Sequence, residues 1–278
     1  MKKTSYFKIG SGSRKGFVSK FQDKELKEII NQNQISKLRN KIITKSSENM
    51  NELIDNCISL TVTSPPYNIG KDSDEDLSDD EYWKMITKVF EEVYRVTESG
   101  GRLVVNVANL GRKPYIPFSK YFIEIILEIG FLMRGEIIWQ KSKGANANFA
   151  WGSWLSPSNP VIRDIHEYCL VFSKDSMKNS AKGEPTIEKE EFMESTLSIW
   201  NITPARAKKI GHPAPFPVEL PKRFINLYSF KNDLILDPFI GSGSTAIAAK
   251  LLDRDYIGYE LNPEYVKIAK NRLKNETS

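Results

Sequence analysis

The sequence predicts a doubly wound α/β fold built on a mostly parallel sheet. Short apolar, β-branched runs alternate with segments of helical apolar spacing along most of the chain. Two of those runs end in turns marked by paired prolines or spaced glycines. With 278 residues, 40% of them hydrophobic, the chain is long and apolar enough for one large domain.

Residues 1–39 read as a basic N-terminal extension, a Gly/Ser/Lys stretch followed by a polar helix over about 22–37. NKIIT (40–44) reads as a strand and 49–55 as a short helix. ISLTVT (58–63) is a buried strand that runs into SPPYN. Apolar spacing predicts a helix over 80–97, stopped at Gly100 and Gly101, and RLVVNVA (102–108) is the next strand. A helix over 117–130 closes at Gly130, and FLMRGEIIWQ (131–140) is a strand. A loop-rich stretch (141–164) leads into the strand HEYCLVFSK (166–174). Residues 175–211 are polar and weakly periodic, and they interrupt the alternation. It resumes with a helix at 217–230, strand DLILD (233–237), helix 244–252, strand YIGYE (256–260) and a helix over 263–274. The predicted organisation is therefore 1–39, a first half at 40–174, an interruption at 175–211 and a second half at 212–278.

Composition excludes some classes. No run approaches the roughly 18 apolar residues of a membrane helix, and no apolar segment follows the basic N-terminus, so a cytoplasmic location is expected. Cys57 and Cys169 lie in apolar surroundings and read as core thiols; with two histidines beside them, no metal site is expected. A net charge of +5 is compatible with a polyanionic partner but selects none. Arg14, Lys15, Lys20 and 37–45 are basic, whereas 72–81 is acidic, and such runs are ordinarily solvated surface.

Ligands of open α/β sheets bind beyond the carboxyl ends of strands, and two segments there carry chemistry. In LILDPFIGSGST (234–245) a strand runs through Gly241 and Gly243 into a helix, whose first N–H groups are free. Glu260 ends the next strand, where a carboxylate can accept both hydroxyls of a ribose. A nucleoside cofactor follows; NAD fits less well because Ala246 stands where a third glycine would be and Asp237-Pro238-Phe239 departs from the dinucleotide fingerprint. In VTSPPYN (62–68) two prolines stiffen the turn, Ser64 supplies a hydroxyl and Tyr67 an aromatic face. This suits a base amine as methyl acceptor. The Ser64 hydroxyl and the Pro65 carbonyl could accept hydrogen bonds from its two N–H groups, bias the nitrogen toward a tetrahedral form and free its lone pair for in-line attack on a sulfonium methyl, with Tyr67 stacked on a swung-out base.

Together these segments resemble the beta-class DNA amino-methyltransferases of restriction–modification systems. TSPPYN (63–68) is similar to their catalytic motif and DPFIGSGST (237–245) to their cofactor loop, in the order that defines the beta class. HPAPFPVELPKRFI (212–225) and GYELNPEYVKIAKNRL (258–273) are similar to the segments flanking that loop, so the resemblance spans about 40–275. It implies a circularly permuted, Rossmann-like methyltransferase domain with a seven-stranded-type sheet and a small target-recognition insertion at 175–211. It implies S-adenosyl-L-methionine as cofactor, held by Asp237, Phe239, Gly241, Gly243, Glu260, His212 and Pro213, with Ser64, Pro65, Pro66 and Tyr67 as the catalytic loop. Relatives carry an acidic residue after the first strand, near the adenine of the cofactor; Ser46 and Ser47 occupy that region here.

In this family serine at the first catalytic position accompanies N4-cytosine methylation and aspartate N6-adenine, so Ser64 points to cytosine, with adenine the alternative. Double-stranded DNA is the implied partner, together with a restriction endonuclease of the same site and a second copy of the chain. Lys182, Arg206, Lys208 and Lys209 in 175–211, and Lys141, Lys143 and Arg163 in the preceding loop, are candidate DNA contacts. Trp151 and Trp154 could face the substrate or pack the loop, and residues 11–20 could bind DNA, bind a second subunit or remain disordered. Protein-glutamine methyltransferases also carry a Pro-Pro-Tyr loop, but theirs follows the cofactor loop; an RNA substrate is separated only by experiment.

Overall fold

The computed structural model describes residues 36–67, 77–110, 114–141, 152–153, 155–205, 210 and 216–277. The elements in chain order are β1 (Lys41–Thr44), β2 (Ile58–Thr63), α1 (Asp79–Val96), β3 (Thr97–Val107), α2 (Phe118–Ile129), β4 (Leu132–Gln140) and β5 (His166–Ser173). They continue with α3 (Lys189–Ser195), β6 (Ile199–Asn201), α4 (Glu219–Tyr228), β7 (Leu234–Asp237), α5 (Ser244–Leu251), β8 (Asp255–Glu260) and α6 (Pro263–Glu276).

Among the described residues the strands form one eight-stranded sheet in the order β1-β8-β7-β2-β3-β5-β4-β6. Neighbours are parallel except at β5, which is antiparallel to both β3 and β4. Because strand side chains alternate between faces, each apolar strand feeds two cores. Leu103, Val105, Val107, Leu236 and Tyr259 pack under α1 and α2, whereas Leu60, Val62, Val104, Val171 and Ile235 pack under α4, α5 and α6. Cys57 and Cys169 are buried in those cores. No helix among the described residues is long and apolar enough to cross a membrane.

Local chemistry sets the element ends. Ser78 and Glu81 form a capping box at the start of α1, and Asp79, Asp80 and Glu81 face its positive end. The sequence predicted that α1 would stop at Gly100-Gly101. Instead β3 begins at once with Thr97, whose Oγ1 donates to Val93 O at 2.6 Å, and the glycines lie in an irregularity within β3. Gly100 has φ +78, and a Cβ there would lie 2.6 Å from the Lys178 carbonyl oxygen. The predicted helix at 49–55 is absent. Met50 and Leu53 turn inward, and side chains of α1 satisfy their backbone: Glu92 accepts from Met50 N at 2.6 Å, and Arg95 donates to the Met50 and Leu53 carbonyls at 3.0 and 2.9 Å.

Residues 175–205 are woven into the domain and do not stand off as a separate insertion. β5 runs against its neighbours and ends level with Arg102 and Leu132, so the chain leaves it at the amino edge of the sheet. There Lys231 N donates to Glu184 O at 3.0 Å and Arg254 Nη1 to Thr186 Oγ1 at 2.8 Å. The segment then returns through α3 to β6, an eighth strand beside β4 that buries Trp200 against Phe224.

Candidate active site and its relatives

The carboxyl ends of β2, β7 and β8 stand side by side, and the two loops singled out in the sequence leave from them. They are joined through Asp237. Its buried carboxylate accepts from Thr63 Oγ1 at 2.7 Å, from Thr245 Oγ1 at 2.7 Å and from Phe239 N at 3.1 Å. One oxygen thus holds the residue before Ser64 and the other holds the first turn of α5. Asp237, an expected cofactor contact, thus also brackets the two loops. Burial pushes its carboxyl up to about 6, against the pull of the three donors.

That rise has a sign that can be tested. A buried carboxyl that titrates higher when folded stabilises the fold below the unfolded value of 3.8 and loses that contribution as pH rises through about 6. A rise of about two on the pH scale corresponds to about 3 kcal/mol. Between pH 4 and 7 the stability gap between the wild type and Asp237→Asn should therefore move toward the variant by up to about 3 kcal/mol, as measured by chemical denaturation. A gap constant with pH would contradict this.

The catalytic loop is held from β3 and α1. Ser64 Oγ donates to the Asn106 carbonyl at 3.1 Å, which fixes the hydroxyl proton, and the Tyr67 hydroxyl is its other hydrogen-bond partner. Ala108 N donates to Tyr67 Oη at 2.8 Å, and the Tyr67 ring meets Phe118 edge-on. Burial, and then the charge of Glu167, push the Tyr67 phenol up, so it stays neutral. The Pro66 carbonyl takes the Tyr82 hydroxyl at 2.7 Å, whereas no group among the described residues donates to the Pro65 carbonyl. Asn68 lies outside the described residues.

Behind this loop is a polar layer that local pattern did not reveal. Asn106 Nδ2 donates to Glu167 Oε2 at 2.7 Å, and the other carboxylate oxygen of Glu167 pairs with Lys141. Lys141 also lies 5.2 Å over the Trp139 ring. Lys141, an expected DNA contact, is thus paired with a carboxylate at the site.

The cofactor loop is fixed by backbone geometry. Gly243 has φ +86 at the start of α5, and Gly241 N donates to Glu260 Oε2 at 3.0 Å. Asn262 N donates to Glu260 Oε1 at 2.8 Å, and burial pushes this carboxyl up. Ser244 Oγ donates to Phe216 O at 2.9 Å, which ties Phe216, within the 212–225 segment, to the loop. Arg272 of α6 donates to Ser242 O at 2.8 Å. Phe239 is half-buried beside the loop. Ser47, noted only as a departure from pattern, donates to the Pro238 carbonyl at 2.9 Å, and Glu48 accepts from Ser46 Oγ at 3.1 Å, so this loop does carry a carboxylate.

The other expected site residues divide. Arg163 lies at the carboxyl edge, half-buried, between Lys141 and β5. Lys182 does not join the site: it follows β5 at the amino edge, next to Gly183, which is packed on Phe230. His212, Pro213, Lys143, Arg206, Lys208, Lys209, Trp151 and Trp154 lie outside the described residues.

A permuted sheet with a Ser-Pro-Pro-Tyr loop before a glycine loop defines a class, and known proteins agree. The family model for N6/N4 DNA methylases matches residues 58–271, and the chain belongs to that family as a beta-class amino-methyltransferase. It is 31% identical to the Type II methyltransferase M.MthZI of Methanothermobacter thermautotrophicus, over 87% of this chain and 78% of that one. To M.MjaI of Methanocaldococcus jannaschii it is 30% identical, over 84% and 90%. Among solved structures, TTHA0409 of Thermus thermophilus, complexed with S-adenosyl-L-methionine, matches with TM-score 0.69 and 27% identity over 85% of this chain and 94% of that one. The cytosine-N4-specific PvuII methyltransferase shares the fold at TM-score 0.66 and 21% identity, over 85% and 90%.

Proposed function

We propose that this chain methylates the exocyclic N4 of cytosine, in a base swung out of double-stranded DNA at a defined sequence. S-adenosyl-L-methionine is the cofactor and supplies an electrophilic methyl group on a sulfonium. The residues present fit it: Glu260 offers a carboxylate at a strand end for ribose hydroxyls, while Phe239 and the glycine loop give a close backbone wall. His212 and Pro213 are proposed for the pocket on the resemblance of 212–225 to the family's cofactor-flanking segment.

The observation that carries the reading is the set of Ser64. Its proton is committed to the Asn106 carbonyl, so beside Tyr67 its oxygen can still accept a hydrogen bond from one amine N–H. The Pro65 carbonyl can accept the other. Two acceptors so placed draw the nitrogen toward a tetrahedral form and aim its lone pair at the methyl carbon. The Tyr67 ring, neutral and anchored at its hydroxyl, supports the base. A hydroxyl here, in place of a carboxylate, favours cytosine; N6-adenine is the alternative outcome. Lys141, Lys143, Arg163, Arg206, Lys208 and Lys209 are proposed for the phosphates, Lys141 by exchange from Glu167. A restriction endonuclease of the same site and a homodimer complete the proposal.

The test is base-resolved sequencing of DNA from a host that lacks amino-methylation of its own and expresses the chain. N4-methylcytosine at one recurring site is the expected result. N6-methyladenine at such a site would overturn the inference from Ser64, and no modified base would remove DNA as the substrate.

A further inference from the structure

We propose that Leu155 is the wedge that fills the DNA stack when the target base leaves it, an inference that rests on the base-extrusion reading above. The excursion between β4 and β5 starts and ends at the carboxyl edge, where Lys141 N donates to Ile165 O at 2.8 Å and closes its base. Over 141–165 it carries Lys141, Lys143 and Arg163 against Asp164, a net charge of three minus one, or +2, suited to phosphates.

Within it, Gly152, Ser153 and residues 155–160 close a tight turn. Gly152 bridges Pro160, Ser153 N donates to Asn159 O at 2.9 Å, and Asn159 N returns to Ser153 Oγ at 2.8 Å. Ser153 Oγ also donates to the Ser156 carbonyl at 2.8 Å. Gly152 has no substitute: a Cβ there would lie 2.0 Å from the Asn159 carbonyl oxygen.

This small frame holds Leu155 in the left-handed region, at φ +59, where a branched apolar residue is strained. The strain has no return in packing, because the side chain is 88% exposed. Leu155 and Ile162, which is 87% exposed on the same excursion, are the two most exposed large apolar side chains among the described residues. An exposed apolar residue on a basic excursion that leaves the same edge of the sheet as the base-accepting loop matches what an opened duplex presents. Loss of one base from the stack leaves an apolar gap between two base faces, and insertion of an aliphatic side chain offsets part of the unstacking cost.

The experiment uses duplexes that carry the site found by sequencing, with the target base either paired or opposite an abasic position. Leu155→Ala should lower kcat/KM on the paired duplex by at least about tenfold and stay within about twofold of wild type on the abasic duplex, where extrusion costs little. Leu155→Met should restore the paired rate. Equal losses on both duplexes, or no loss on the paired one, would overturn the role. If the wild type modifies neither duplex, the failure lies with the base-amine reading itself, and the inference falls with it.

Discussion

Ser64→Ala is expected to lower kcat by about a hundredfold or more, the usual loss when a single charge-stabilising partner is removed from a reaction centre. Cofactor affinity should stay within about twofold, since the hydroxyl acts on the amine and not on the cofactor. The Asn106 carbonyl would lose its donor, but β3 remains paired on both sides, so the fold should hold. Single-turnover methylation and calorimetry separate the two effects. A wild-type rate would remove the hydroxyl from the account, and a loss of cofactor binding would mean that Ser64 shapes the pocket.

Gly243→Val is the second large effect, for a reason the sequence did not suggest. Spacing alone had the glycine making room for the cofactor. In the fold its φ is +86 and a Cβ would lie 2.9 Å from the Ala269 Cβ and 3.2 Å from the Ala269 Cα, so the obstruction is α6. A left-handed β-branched residue costs about 1–2 kcal/mol or more, and overpacking against a helix costs a further ~1–3 kcal/mol. The loop must shift, taking with it the Gly241 amide that holds Glu260. Cofactor affinity should fall at least about tenfold, with a clear drop in Tm, read by calorimetry and thermal unfolding. An unchanged Tm with unchanged affinity would contradict the packing.

Much of this was legible because periodicity and turn chemistry are local. β2 occupies the expected 58–63, and both chemical loops sit at strand ends as their glycines and prolines required. β6 was missed because Ile199–Asn201 is too short to alternate, and only its register with β4 makes it a strand. The helix at 49–55 was lost to Arg95 and Glu92, more than forty positions away. The partners of Asp237 and Lys141 were hidden for the same reason. Thr63 and Asp237 are 174 residues apart in sequence, and Glu167 reaches Lys141 only across an antiparallel pair. Residue type marked these positions as chemical, but their partners are set by topology.

The most direct measurement is the identity of the product nucleoside. Purified protein, labelled S-adenosyl-L-methionine and unmethylated DNA are incubated together, the DNA is digested to nucleosides, and the label is located by chromatography and mass spectrometry. The label is expected on an exocyclic amine, as N4-methylcytosine. Label on a ring carbon, as in 5-methylcytosine, would contradict it, because nothing in the Ser64–Tyr67 loop supplies the nucleophile that reaction needs.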